Sequence, residues 1–260
     1  MSAPPGRAPR LVVEGGLHQA GYAVVAGVDE VGRGCLAGPV TVGAVLVGPD
    51  QGRPPRGLRD SKLLTPPARR ALVPRIHRWV TAWAVADATA AEIDAIGIIA
   101  ALRLAGHRAL AALPQPPDCV LLDGNHDYLT PQLDEGLWPA DPFPPVRTEV
   151  KADVRCASVA AASVLAKTTR DAYMTRLAAA HPEYGWDVNK GYATPAHRAA
   201  LRSVGPSPMH RLSWRLGLDR PDGVDGDDEG QDGAVIVLDA QLDLLVLETD
   251  QAEASQEVHA

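Results

Sequence analysis

The chain has 260 residues, 46% of them hydrophobic, and a formal net charge of −7. That size and apolar content allow one large globular domain with additions, and no run reaches the roughly 18 apolar residues of a membrane span. The start, MSAPPGRAPR, lacks the apolar core of a secretory signal, and three cysteines without C-x-x-C spacing fit a reducing compartment and packing better than zinc, so a cytoplasmic protein is expected.

In chain order, residues 1–16 read as a flexible N-terminal segment ahead of a folded domain over 17–218. Residues 23–28 and 40–47 are apolar and β-branched and predict two strands joined by a glycine-rich loop. Thr65-Pro66 opens a helix that Pro74 must bend or end. Residues 81–86 alternate weakly as a third strand. Thr89 with Glu92 forms a capping box for a helix running towards Leu113. Residues 118–122 and 146–150 complete a sheet of about five strands. An alanine-rich helix is expected over 157–180, and a shorter one between Thr194-Pro195 and Gly205. Strands that first meet as a hairpin-like pair and are then separated by helices predict an α/β fold with a central mixed sheet.

Composition changes near residue 218. Residues 219–260 hold 13 Asp/Glu and one basic residue, Arg220, and begin with a Gly/Asp run too polar to offset its ordering entropy. This is read as an acidic, poorly ordered tail; the later AVIVLDAQLDLLVL stretch is left open between a strand and a docking segment. Without the tail, residues 1–218 carry 24 Lys/Arg against 19 Asp/Glu, a basic balance that permits a polyanionic partner.

Acids recur at the predicted strand ends. Asp29 and Glu30 follow AVVAGV, Asp123 follows DCVLL, and Asp153 follows VRTEVKA. Any one of them is explained by a turn or cap. Together, if the strands are neighbours, they gather four repelling carboxylates, a hard oxygen set suited to Mg²⁺ or Mn²⁺. Two such ions about 3.5–4 Å apart serve phosphodiester cleavage. A dinucleotide-binding loop at Gly32-x-Gly34-x-x-x-Gly38 is the competing reading. The third glycine is misplaced for it, a strand follows where a helix is needed, and two acids precede the loop.

These residues carry a resemblance to a known family. GVDEVGRGCLAGPV at 27–40, DSK at 60–62, LLDGN at 121–125, KAD at 151–153, AAASVLAKTTRD at 160–171, YGWDVNKGYATPAH at 184–197 and HRLSW at 210–214 occur in its order. Over about residues 17–217 the chain resembles bacterial ribonuclease HII, the type 2 ribonuclease H. The resemblance implies a ribonuclease H fold and a catalytic domain that cuts the RNA strand of RNA/DNA hybrids and the 5′ side of single ribonucleotides in duplex DNA. It implies 3′-hydroxyl and 5′-phosphate ends, a divalent Mn²⁺ or Mg²⁺ cofactor, and Asp29, Glu30, Asp123 and Asp153 as catalytic metal ligands. Gly32, Arg33 and Gly34 would read the ribose 2′-hydroxyl through the backbone, and Tyr192 would stack at the RNA-to-DNA junction. Lys62, Lys167 and Arg170 have the chemistry for phosphate contacts. His197, His210 and the five tryptophans are read as structural.

The sequence departs from the family pattern in a long proline-rich segment between Asp123 and Asp153, in Ala152 where glycine is common, and in the tail. No membrane association and no protein partner is expected, and the default state is a monomer. The alternatives are a noncatalytic hybrid-binding protein of the same fold, or a related nuclease of the HIII or type 1 kind.

Overall fold

A computed structural model describes residues 8–131 and 143–217. The expected acidic tail and Trp138 lie outside them. Five strands, β1 (Val25–Val31), β2 (Val40–Val47), β3 (Ala82–Ala88), β4 (Cys119–Asp123) and β5 (Val146–Glu149), form one sheet in the order β3-β2-β1-β4-β5. β1–β2 and β2–β3 are antiparallel, whereas β1–β4 and β4–β5 are parallel. Seven helices accompany them among the described residues: α1 (Val12–Gln19), α2 (Pro66–Trp79), α3 (Ala90–Ala111), α4 (Ala152–Arg155), α5 (Ala157–Ala180), α6 (Trp186–Asn189) and α7 (Pro195–Val204). This is the expected mixed sheet, with α3 covering one face and α5 the other.

The capping signals mark the helix starts. Thr65, Thr89 and Thr194 each accept a backbone N–H three residues on, and Thr89 with Glu92 forms both halves of the capping box. Pro74 does not end α2, which continues to Trp79. The helix expected to run towards Leu113 spans Ala90–Ala111 and is kinked at Gly97, where φ is 78°.

Two expectations are corrected. β1 extends through Val31 and β4 through Asp123, so Asp29 and Glu30 lie inside β1 near its end and Asp123 closes β4, instead of following the strands. Residues 1–16 are not wholly loose, because α1 docks with Glu14 and Leu17 buried. Cys156 gives no side-chain cap to α5, and Glu14 supplies one from α1, its Oε1 accepting the Ser158 N–H (2.9 Å) and hydroxyl (2.7 Å).

Glu14→Ala leaves both Ser158 donors buried and unmet, and a loss of about 2 kcal/mol in a denaturation curve is expected. Burial raises the Glu14 carboxyl above its ordinary 4.5, with the Ser158 bonds opposing. A raised acid supports the fold fully below its unfolded value and loses that support as pH rises through the folded one. The melting temperature of Glu14→Gln should therefore gain on the wild type as pH is raised above about 4.5; a pH-independent difference would contradict this.

α5 lies unusually close to the sheet. A Cβ on Gly27 would stand 2.4 Å from Ser158 Cβ, and one on Gly43 would stand 2.6 Å from the Ala162 carbonyl oxygen. Gly43 is opposite Asp29 in the β1–β2 register, so the two glycines bring the buried helix down beside that acid.

Candidate active site

β1 and β4 are parallel neighbours, and their carboxyl ends place Asp29, Glu30 and Asp123 together. Ligands in open α/β sheets gather at such strand ends. Asp153 comes from the first turn of α4, beyond β5. Asp123 ties the pieces together, its Oδ1 accepting the Ala152 N–H at 2.7 Å and the Asp153 N–H at 3.4 Å. Lys151 takes the left-handed conformation that turns the chain into α4, while Ala152 is helical and buried, so its methyl group is accommodated.

The electrostatics are those of crowded anions. Asp29, 4% exposed, is raised well above the ordinary carboxylate range, first by burial and then by Glu30, with Asp123 and Asp153 adding to it and the Ser163 hydroxyl opposing. Glu30 is raised by burial and Asp123, against Arg33, whose Nη1 is 4.0 Å from Glu30 Oε1, and against the Tyr128 hydroxyl, which donates to Oε2 at 3.3 Å. Asp153 is raised by burial, Asp123 and Asp60, with Lys62 opposing. Lys62 Nζ stands 3.7 Å from Asp153 Oδ2; burial works against its charge, but Asp29, Asp60, Asp153 and Asp123 outweigh this and raise it.

As the side chains stand, no three donors among the described residues converge closely enough to hold an ion. The chemistry fits a hard divalent cation nonetheless. The donors are oxygens only, and the burial and mutual repulsion that raise three of the acids disfavour their charged forms, a cost that a nearby cation would relieve.

Beside the acids runs the 32–34 loop. Gly32 has φ 84°, and a Cβ there would stand 2.2 Å from Arg170 Nε, so the fold itself requires glycine. Gly34 is exposed and has nothing within 4 Å of an added Cβ, so the fold leaves that space open. The Lys190-Gly191-Tyr192 turn packs against this loop, with the Gly191 carbonyl accepting the Leu36 N–H at 2.9 Å. Tyr192 is 39% exposed, with Lys167 Nζ 5.4 Å from its ring centroid, and its phenol is raised to about 12, chiefly by burial. His197 donates through Nδ1 to the Tyr192 carbonyl (2.9 Å), and its Nε2 meets Trp186 Nε1 and His210 Nε2, each at 3.1 Å. Both histidines are fully buried, which agrees with their structural reading.

Arg170 requires a correction. It is 1% exposed and gives its donors to the carbonyls of Pro39 (2.8 Å), Lys190 (2.9 Å) and Ala37 (3.0 Å), so it braces the two loops from within and is not free for a phosphate. Lys167 is largely covered as well and pairs with Asp171 at 2.7 Å, an acid it shares with Arg69. Of the three expected phosphate contacts only Lys62, with a 73% exposed side chain, faces solvent. Sequence reasoning passed over Asp60, Tyr128, Ser163 and Arg211. Asp60, Ser163 and Arg211 lay inside the quoted DSK, AAASVLAKTTRD and HRLSW stretches; Tyr128 reaches Glu30 across 98 positions, and no local pattern marks it.

A mixed five-stranded sheet with carboxylates gathered at the ends of two parallel strands defines the ribonuclease H-like class of metal-dependent nucleases. The family model for ribonuclease HII matches residues 26–216. The chain belongs to the ribonuclease HII family. A ribonuclease HII of Streptomyces avermitilis is 52% identical over 194 residues, covering 75% of this chain and 78% of the relative. Among solved structures, ribonuclease H2 of Pyrococcus horikoshii OT3 is similar at TM-score 0.59 and 26% identity, over 74% of this chain and 94% of that one. Ribonuclease HII of Archaeoglobus fulgidus, solved in complex with PCNA, is similar at TM-score 0.60 and 27% identity, over 76% and 97%. No helix among the described residues is long and apolar enough to cross a membrane.

Proposed function

We propose that the protein is an endonuclease that hydrolyses the RNA strand of RNA/DNA hybrids and cuts 5′ to single ribonucleotides in duplex DNA, leaving 3′-hydroxyl and 5′-phosphate ends. The observation that carries this reading is the continuity of β1 into the 32–34 loop, which sets a bare backbone directly beside the acids. Family membership supports the reaction class.

Asp29, Glu30, Asp123 and Asp153 would hold Mg²⁺ or Mn²⁺, which supplies electrophilic stabilisation of the phosphate and activation of water. The acids position this chemistry, and Lys62 beside Asp153 adds a positive charge for the strand. The 32–34 loop selects the sugar: a 2′-hydroxyl is a small group that main-chain amides can bond where no side chain intervenes. Tyr192, held through its carbonyl by His197, stacks on the next sugar.

The test is cleavage of a labelled DNA duplex carrying one ribonucleotide, beside an RNA/DNA hybrid, with Mg²⁺, Mn²⁺ or chelator. A metal-dependent cut 5′ to the ribonucleotide is expected; binding without a cut on either substrate would refute hydrolysis. Gly34→Ala, with free space for its methyl group, should melt like the wild type yet lose about tenfold in kcat/KM on the single ribonucleotide. Undiminished cleavage by that variant would separate Gly34 from sugar recognition.

A further inference from the structure

We propose that Arg211 is a specificity-positioning residue, whose buried guanidinium fixes the peptide planes of the 32–34 loop so that the Arg33 and Gly34 amides face the substrate sugar. The inference rests on the reading of that loop as the sugar-recognition element.

Arg211 is fully buried. Its Nη1 donates to the Arg33 carbonyl and its Nη2 to the Gly32 carbonyl, both at 2.6 Å, and Nη2 and Nε also reach the Gly38 carbonyl at 3.2 and 3.3 Å. In a planar trans peptide the C=O and the following N–H point in opposite directions. Drawing the Gly32 and Arg33 carbonyls inward to one guanidinium therefore turns the N–H groups of Arg33 and Gly34 outward. Neither amide meets a protein acceptor among the described residues, and both residues are exposed. Two adjacent, unused donors are thus presented at the mouth of the acid site, with a chemistry that suits the oxygen of a hydroxyl.

Arg170 and Arg211, two of the buried arginines, divide the work at this loop. Arg170 holds the carbonyls of Ala37, Pro39 and Lys190, which join the loop to the Tyr192 turn, whereas Arg211 holds those of Arg33 and Gly32, the latter also accepting the Cys35 N–H at 3.2 Å. Arg211 is itself fixed from three sides. Its N–H donates to the Leu36 carbonyl (2.9 Å), the Trp214 ring centroid lies 4.7 Å from its Cζ, and Asp94 accepts the N–H groups of Leu212 (2.8 Å) and Ser213 (3.0 Å). No carboxylate pairs with Arg211 at salt-bridge distance among the described residues. Burying a charge against carbonyls and one indole face, without a paired carboxylate, is costly, and an apolar side chain would fill the space at less expense. The fork of donors is what an apolar residue cannot replace, because it spans two consecutive carbonyls.

The test compares the affinity for a duplex with one ribonucleotide against the same duplex with a deoxyribonucleotide, in wild type and Arg211→Lys, each in the Asp29→Asn background, with thermal melting alongside. Lysine keeps the charge but not the fork. The expected result is a roughly tenfold fall in the affinity ratio with all-DNA binding unchanged. An unchanged ratio in a folded Arg211→Lys, or equal losses on both duplexes, would overturn the proposal. If the lysine variant does not fold, Trp214→Leu, which loosens the guanidinium without removing its donors, takes its place: a two- to threefold fall in the ratio is expected, and an unchanged ratio overturns the proposal. A wild-type site that does not distinguish the duplexes would instead refute the reading of the loop itself.

Discussion

Asp29→Asn should reduce cleavage about 10³-fold or more while raising the melting temperature of the metal-free protein. The loss follows from removing a charged oxygen donor from the proposed metal site, where a cation would stabilise the transition state by several kcal/mol, at about 1.4 kcal/mol per factor of ten. The gain follows from the electrostatics of the empty acid cluster. Asp29 is 4% exposed and crowded by Glu30, Asp123 and Asp153, so its ionised form is disfavoured in the fold. Its folded pKa lies above the unfolded 3.8, so the wild type loses stability as pH rises through the folded value. Melting curves in chelator should show the asparagine variant gaining on the wild type towards pH 8 and losing that gain towards pH 4. Adding Mn²⁺ or Mg²⁺ should then raise the wild-type midpoint more than the variant's. A variant that is inactive and also less stable at pH 8 would mean that Asp29 serves the fold, against the present reading.

The same residues show how much of the molecule was legible beforehand. Strands and long helices were visible because their signals are local: β-branched runs, three threonine caps and one capping box. The acid positions were visible because they end apolar runs, although the strands extend further than the hydrophobic pattern alone suggests. Arg170 was misread for a physical reason. Helix periodicity assigns a charged residue to a solvent face only when the helix has one, and α5 is buried on every side from Ala157 to Ala166. That run of small residues without a polar stripe was the available sign that an arginine further along would also turn inward. Arg211 was hidden differently. Its partners lie 173 to 179 positions away, and only the assembled loop reveals which carbonyls need a donor.

Gly43→Ala should lower the melting temperature by about 6–12 °C, the equivalent of about 3 kcal/mol in a domain of this size. The added methyl group would stand 2.6 Å from the Ala162 carbonyl oxygen and 3.2 Å from Ala166 Cβ, in the middle of a rigid buried helix that cannot rotate away as a flexible side chain could. The helix or the strand must shift, and the shift is felt at the site because Gly43 pairs with Asp29 in the sheet and Ser163 follows Ala162 on α5. Cleavage should therefore fall about tenfold even in the fraction that remains folded. Gly52→Ala is the internal control, since nothing lies within 4 Å of a Cβ there and an exposed substitution of this kind changes stability by about 0.5 kcal/mol or less. The pattern across the glycines separates their roles: Gly43→Ala loses both stability and activity, Gly34→Ala loses activity alone, and Gly52→Ala loses neither. If Gly43→Ala melts with the wild type, the close approach of α5 is not what seats the helix beside Asp29, and the packing argument for the site's position fails.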